Sequence, residues 1–250
     1  MEKQIRVAVA GANGRMGQEV VKMLGEDAQL IYTGNLETRG DEASIQEQME
    51  AMKPDVLVDF TTPHSVYRHL EICLQYGVRP VVGTTGLTPE QLQEMTERYH
   101  EAGLGAIIAP NFAIGAILCM KFAVMASKYM PHVEIIELHH DRKLDAPSGT
   151  ALKTAEMIAT VRENIRQGHP EEKEIIPGAR GGEYEGFRIH SVRLPGMVAH
   201  QEVLFGAVGQ TLSIRHDSIS RESFMPGVNM AIKAVVNMSN LIYGLEHLID

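Results

Sequence analysis

The chain has 250 residues, 44% hydrophobic and 22% charged, with a formal net charge of -9, which suits one large domain or two small ones with a real core. The acidic balance excludes a general nucleic-acid binder. No apolar run reaches the roughly 18 residues of a membrane span and no leader pattern opens the chain, so a soluble, cytoplasmic protein without membrane or nucleic-acid partners is expected.

Ile5–Ala10 is wholly apolar after a polar start and predicts a strand buried on both faces. A glycine-rich stretch follows, then a helical pattern through Met16, Val20, Met23 and Leu24. Leu30–Thr33 reads as a second strand that ends near Glu37, and residues 40–53 as polar helix or loop. Asp55–Phe60, Arg79–Gly83 and Gly105–Ala109 read as strands. Helical spacing covers Pro63–Tyr76 between them, and Pro89–Glu101 starts a helix with proline in its first turn. Strands and helices alternating in this way predict a Rossmann-like, doubly wound parallel α/β sheet.

The pattern changes after Pro110. Ile114–Tyr129 reads as a helix, Val133–His139 as a strand and Ala151–Ile165 as a helix. Residues 168–186 read as a long loop rich in Gly, Pro and charge. Phe187–Leu194, Glu202–Ala207 and Thr211–His216 read as strands, with a hairpin turn at Ala207–Gln210. This block predicts a second, α+β domain with a mixed or antiparallel sheet. Glu222–Leu248 reads as helix, its Met230, Val235, Met238, Leu241, Leu245 and Leu248 packing back on the first domain. The expected division is residues 1–110 with 221–250, and residues 111–220. Cys73 and Cys119, the only cysteines, sit in apolar helical patterns and read as reduced core residues.

A strand, a glycine turn and a helix form the context of a dinucleotide site, since glycine lets backbone approach a pyrophosphate and the helix start supplies N–H donors. Here the turn is Gly11-Ala12-Asn13-Gly14-Arg15-Met16-Gly17, with Ala12 where the common G-x-G-x-x-G pattern has glycine. Glu37 lies 20 residues beyond Gly17, where a carboxylate holds ribose hydroxyls. It repels a 2′-phosphate and favours NADH, while nearby Arg39 offers such a phosphate a partner, so NADPH stays open. Gly83-Thr84-Thr85-Gly86 and Ala109-Pro110-Asn111-Phe112 follow the fourth and fifth strands, where ligands of open α/β sheets bind.

Residues 137–151 run Glu-Leu-His-His-Asp-Arg-Lys-Leu-Asp-Ala-Pro-Ser-Gly-Thr-Ala. His139, His140, Arg142 and Lys143 fall beside a helix start at Pro147–Thr150, an arrangement that receives anions. Reduction by a nicotinamide needs an acid for the atom that gains electron density, cations for an anionic substrate, and exclusion of water. His139 or His140 suits the acid, because imidazole exchanges protons near neutral pH. Lys143 suits an acid or a carboxylate anchor, and Ser148, Gly149 and Thr150 can present N–H groups and a hydroxyl. Arg142 reads as a solvated charge and Asp145 as a cap of the next helix. A metal site on His139, His140 and Asp145 is disfavoured, since adjacent strand residues point apart. A non-catalytic NAD-binding sensor would have no use for His139 and Lys143.

The glycine turn and the 137–150 segment together resemble the dihydrodipicolinate reductase family, and the resemblance extends over essentially the whole chain, including Arg221, Phe224 and Gly227. It implies NADH- or NADPH-dependent reduction of 4-hydroxy-tetrahydrodipicolinate (dihydrodipicolinate) to tetrahydrodipicolinate, in the diaminopimelate route to lysine. By motif position it implies His139 as proton donor/acceptor and Lys143 as second acid, with His140, Gly149 and Thr150 on a substrate carboxylate and no metal. It places cofactor on Gly11, Ala12, Asn13, Gly14, Arg15, Met16, Glu37, Gly83, Thr84, Thr85, Ala109, Pro110, Asn111 and Phe112. It further implies a homotetramer built through the sheet of the second domain, and a hinge between domains that closes on both ligands. Because the last helix must return to the first domain, the chain crossings near Asn111–Ile114 and Ser218–Phe224 are expected to carry that movement. One departure concerns the cofactor: where some members place Arg directly after the ribose carboxylate, this chain has Thr38 and then Arg39.

Overall fold

Val7, Ala8, Val9 and Ala10 are fully buried in strand β1 (Ile5–Ala10), as a strand covered on both faces requires. In the computed structural model, which describes residues 4–37 and 40–249, β1 is followed by α1 (Arg15–Glu26), β2 (Leu30–Asn35), α2 (Glu42–Met52), β3 (Val56–Asp59), α3 (Val66–Tyr76), β4 (Arg79–Val82), α4 (Pro89–Glu101) and β5 (Ala106–Ile108). Next come α5 (Ile114–Ser127), β6 (His132–His139), α6 (Gly149–Ala159), β7 (Gly182–Tyr184), β8 (Phe187–Arg193), β9 (Ala199–Ala207) and β10 (Gln210–Ser218). A short 3-10 turn, Arg221–Phe224, leads into α7 (Met225–Val235) and β11 (Leu241–Tyr243). The chain forms two units, Met1–Ala113 with Arg221–Asp250, and Ile114–Ser220.

The first unit holds a six-stranded sheet in the order β11-β5-β4-β3-β1-β2, every recorded pairing parallel. Its apolar helix faces fill the layers on the sheet: Ile45 and Met49 of α2 and Ile72 and Cys73 of α3 pack with Ala8, Ala10 and Leu57. The second unit holds a mixed sheet, β10-β9-β6-β8-β7, in which only β6 and β8 run parallel. Val133, Ile135, Phe187, Ile189, Val203 and Phe205 alternate onto one face, where Cys119 and Ala123 of α5 and Ala151, Ala155 and Ile158 of α6 meet them. Among the described residues no helix is long and apolar enough to cross a membrane.

Four expectations from the sequence change. The tail is not one helix: after α7 the chain extends and Leu241, Ile242 and Tyr243 pair with Ala106, Ile107 and Ile108 as a sixth strand. Apolar spacing at 238, 241 and 245 fits either element, and periodicity does not separate them over so few residues. Helix α6 stops at Ala159, short of Ile165, because Arg162 turns inward. Its guanidinium donates to the carbonyls of Pro131, Ile165 and Glu185 and lies 5.2 Å from the Phe187 ring. The supposed loop over 168–186 contains β7, an edge strand paired with β8. The first unit extends to Ala113, beyond residue 110, because Phe112 and Ala113 are buried and the Phe112 ring meets Phe60 edge-to-face at 5.9 Å.

Candidate active site

The first unit carries the glycine turn after β1, the candidate dinucleotide site. Gly11 has φ +82, a conformation open to glycine, and a Cβ there would lie 2.8 Å from the Phe60 carbonyl oxygen. A Cβ on Gly17 would lie 2.1 Å from the Gly11 carbonyl oxygen, so only glycine lets α1 start this close to β1. Asn13, Gly14 and Arg15 are exposed and Met16 half-buried around that start. Helices α2, α4 and α6 each begin with a side-chain cap, from Asp41, Thr88 and Ser148, whereas α1 begins at Gly14 with no side-chain cap and no acidic residue in its first turn. No side chain therefore occupies the start of α1, which is the condition an anion at a helix N-terminus needs.

Glu37 is brought to this turn through Asn35. The Asn35 carboxamide accepts from the Ala12 N–H at 3.1 Å and donates to the Glu37 carboxylate. Gln48 of α2 grips the backbone of Glu37, accepting from its N–H at 2.9 Å and donating to its carbonyl at 3.0 Å. Thr38 and Arg39 lie outside the described residues.

The loops after β3, β4 and β5 interlock. The Phe60 ring occupies the space a Gly83 Cβ would need, 2.0 Å from its Cε1, and meets Phe112 on its other contact. Pro63 packs where a Gly86 Cβ would stand, at 2.4 Å. Thr84 is buried and its hydroxyl donates to Asp59. Gly83, Thr84 and Thr85 therefore share one end of the sheet with Ala109–Phe112 and the glycine turn. Sequence reasoning passed over Phe60-Thr61-Thr62-Pro63. The same rule that selected the other two loops, the carboxyl ends of parallel strands, also covers this one.

The second unit gathers the other group around Glu137, another residue that sequence reasoning left without a role. It shares the core-facing parity of Val133 and Ile135 on β6, so its carboxylate is fully buried. Two residues on, on the same face, His139 turns Nδ1 to Glu137 Oε2. Arg193 of β8 donates to both Glu137 oxygens at 2.7 and 2.8 Å, and the Ser148 N–H donates at 3.2 Å. Burial alone would raise the Glu137 pKa, but the hydrogen bonds from His139, Arg193 and Ser191 outweigh it and hold the carboxyl down to about 2. Arg193 also donates to the Asp145 carbonyl at 2.8 Å and so pins the 140–147 loop.

That loop carries the rest of the cationic segment. Lys143 donates to both Asp145 oxygens at 2.7 and 2.8 Å, so Asp145 does not cap the next helix; the Ser148 hydroxyl does, accepting from the Ala151 N–H at 3.2 Å. Ser148 thus spends both its N–H and its hydroxyl internally, and Gly149 and Thr150 stand as the first residues of α6. His140 is half-buried, and its Nδ1 is buried without a hydrogen-bond partner among the described residues. Its carbonyl accepts from the Lys143 N–H at 3.2 Å. Arg142 is exposed. His139, His140, Lys143 and the α6 start are thus grouped in one unit, and the glycine turn, Glu37 and the strand-end loops in the other.

A Rossmann-type sheet with an uncapped glycine turn, joined to a second unit bearing a braced histidine among cations, defines a nicotinamide-dependent oxidoreductase of the two-domain α/β class. Residues 5–112 match the family described as "Dihydrodipicolinate reductase, N-terminus" and residues 115–249 match "Dihydrodipicolinate reductase, C-terminus". The chain belongs to the dihydrodipicolinate reductase family. It is 56% identical to the 4-hydroxy-tetrahydrodipicolinate reductase of Halalkalibacterium halodurans, over 98% of this chain and all of that one. It is 54% identical to that of Geobacillus kaustophilus, over 98% of this chain and 99% of that one. Among solved structures, dipicolinate-bound dihydrodipicolinate reductase from Paenisporosarcina sp. TG-14 matches with a TM-score of 0.90 and 50% identity, covering 98% of this chain and all of that one.

Proposed function

We propose that this chain reduces 4-hydroxy-tetrahydrodipicolinate to tetrahydrodipicolinate with His139 as the proton donor and Lys143 as the second acid and carboxylate anchor. The observation that carries this reading is the Glu137–His139 pair: a buried, ionised carboxylate holds Nδ1 of an imidazole whose ring is still partly exposed. That contact leaves Nε2 as the nitrogen able to pass a proton to a ligand. The dihydronicotinamide of a bound cofactor supplies the hydride. His140 and the N–H groups that open α6, at Gly149 and Thr150, suit one substrate carboxylate, and Lys143 reaches a second by exchanging Asp145 for it. Dipicolinate bound to the Paenisporosarcina relative supports a small dicarboxylate.

Gly11–Met16, Glu37, Gly83–Thr85 and Ala109–Phe112 hold the dinucleotide in this reading, the first unit serving the cofactor and the second the substrate. Glu37, braced by Asn35 and Gln48, favours NADH by excluding a 2′-phosphate. The second unit is also the oligomerisation unit. Ile136, Leu138, Val192 and Leu204 sit on the strand positions that alternate with the buried set and stay partly or largely exposed, which supports a homotetramer assembled on that sheet. A cytoplasmic location agrees with a biosynthetic role in lysine formation.

The test is an assay on freshly made dihydrodipicolinate synthase product, with NADH and NADPH side by side. Wild type is expected to oxidise NADH at the lower KM. His139→Ala is expected to lose about 10²- to 10⁴-fold in turnover while its affinity for NADH stays within twofold. Near-normal turnover of His139→Ala removes His139 from its role, and light scattering that gives a monomer removes the tetramer.

A further inference from the structure

Asp59 ends β3 in the middle of the parallel sheet, paired with Ala10 of β1 on one side and Val82 of β4 on the other. Its side chain is fully buried, yet it is none of the residues assigned to the cofactor above. It makes four hydrogen bonds, which fill the capacity of a carboxyl group in a dry site. The Thr61 N–H donates to Oδ1 at 2.8 Å and the Thr61 hydroxyl at 2.6 Å. The Thr84 hydroxyl donates to Oδ1 at 3.2 Å. His69 of α3, 1% exposed, turns Nδ1 to Oδ2 at 2.6 Å. One carboxylate therefore ties together the loop after β3, the loop after β4 and the helix behind both. The third neighbour is the glycine turn, since Gly11 lies against the Phe60 carbonyl and the Thr61 methyl.

A carboxyl this deep is costly for packing alone; an apolar residue would fill the same strand position at no desolvation cost. What the carboxylate adds is direction. It fixes the rotamers of Thr61 and Thr84 and the path of the backbone between Phe60 and Pro63, which buttresses Gly83 and Gly86. We propose that Asp59, held by His69, is the positioning residue of the cofactor site: it sets the Thr61 and Thr84 loops to receive the nicotinamide end of the dinucleotide. Its effect is separate from the glycine turn and Glu37, which take the pyrophosphate and the adenosine ribose. The inference rests on the cofactor reading above.

The experiment compares binding of NADH with binding of ADP-ribose, which lacks the nicotinamide, by calorimetry on wild type, Asp59→Asn and Thr84→Val. Asp59→Asn is expected to weaken NADH about tenfold, the worth of one charge-assisted hydrogen bond, and to change ADP-ribose less than twofold. Thr84→Val keeps the shape and removes one hydroxyl, so it is expected to shift NADH about threefold in the same selective way, and it serves if Asp59→Asn does not fold. Parallel weakening of both ligands, or unchanged NADH affinity in both variants, overturns the proposal. Wild type that binds neither ligand overturns the cofactor reading itself.

Discussion

Asp59 and Glu137 are the same device in two places: a fully buried carboxylate near the carboxyl end of a strand with a histidine Nδ1 on one of its oxygens. The surroundings separate them. His69 is sealed, with a side chain 2% exposed, while the His139 side chain is 15% exposed. Asp59 shares its remaining capacity among threonine hydroxyls and an amide, whereas Glu137 receives a guanidinium on both oxygens. In the readings proposed above, the sealed pair fixes loops, and the pair with one end open, its carboxylate kept charged by a permanent cation, presents an imidazole for proton transfer.

The comparison breaks most sharply at the sealed pair. His69→Ala leaves Oδ2 of the buried Asp59 carboxyl without its hydrogen-bond partner, and is expected to cost about 3–5 kcal/mol of unfolding free energy. Urea denaturation of the dinucleotide-free protein measures this. The matching change at the open pair, His139→Ala, leaves Arg193 on Glu137 and is expected to cost less than half as much in stability while removing turnover. Equal stability losses from the two substitutions would show that exposure does not separate the two histidines.

The second test uses pH. The Glu137 carboxyl lies well below its ordinary 4.5, at about 2. A depressed carboxyl stabilises the fold above the unfolded value and loses that contribution as pH falls toward the folded one. Its share is thus complete above pH about 4.5 and is lost between there and pH about 2, on the order of 3 kcal/mol in all. Glu137→Gln has no such titration, so its stability curve is expected to be flatter than wild type across that window. Parallel curves for the two proteins would contradict the assignment of the low pKa to the Arg193 and His139 contacts.

Much of this was legible in residue order. Strands β1 to β5 and the turn at Gly11–Gly17 follow from apolar runs and glycine spacing, because a parallel sheet writes each buried strand as a local signal. The cationic segment was legible because His139, His140 and Lys143 are close in sequence. What escaped depends on contacts between distant positions. Glu137 reads as one more polar residue until β8 supplies Arg193, 56 positions away, although its parity with Val133 and Ile135 already pointed inward. Asp59 needs Thr84, 25 positions on, to become a hub. β11 is written in three residues and exists because β5 offers an edge. The early end of α6 is set by carbonyls from residues 131 and 185 that only the fold brings to Arg162.

The smallest effect concerns the exposed end of the same group. Lys143 and Asp145 form an ion pair in which Asp145 is 61% exposed, and the lysine helps hold the Asp145 carboxyl below its usual range. Exposed pairs of this kind contribute about 0–1 kcal/mol to stability, so the pair is of little consequence to the fold. It matters if a substrate carboxylate must displace Asp145 from the ammonium. Asp145→Asn removes the competitor and keeps the side chain's size. Unfolding free energy is expected to move by less than about 1 kcal/mol and substrate KM to fall about two- to threefold, equivalent to about 0.5 kcal/mol. An unchanged KM would mean that Lys143 never trades Asp145 for substrate. Its role would then be confined to the 140–147 loop, and the open pair would have to bind its anion through His140 and the α6 start alone.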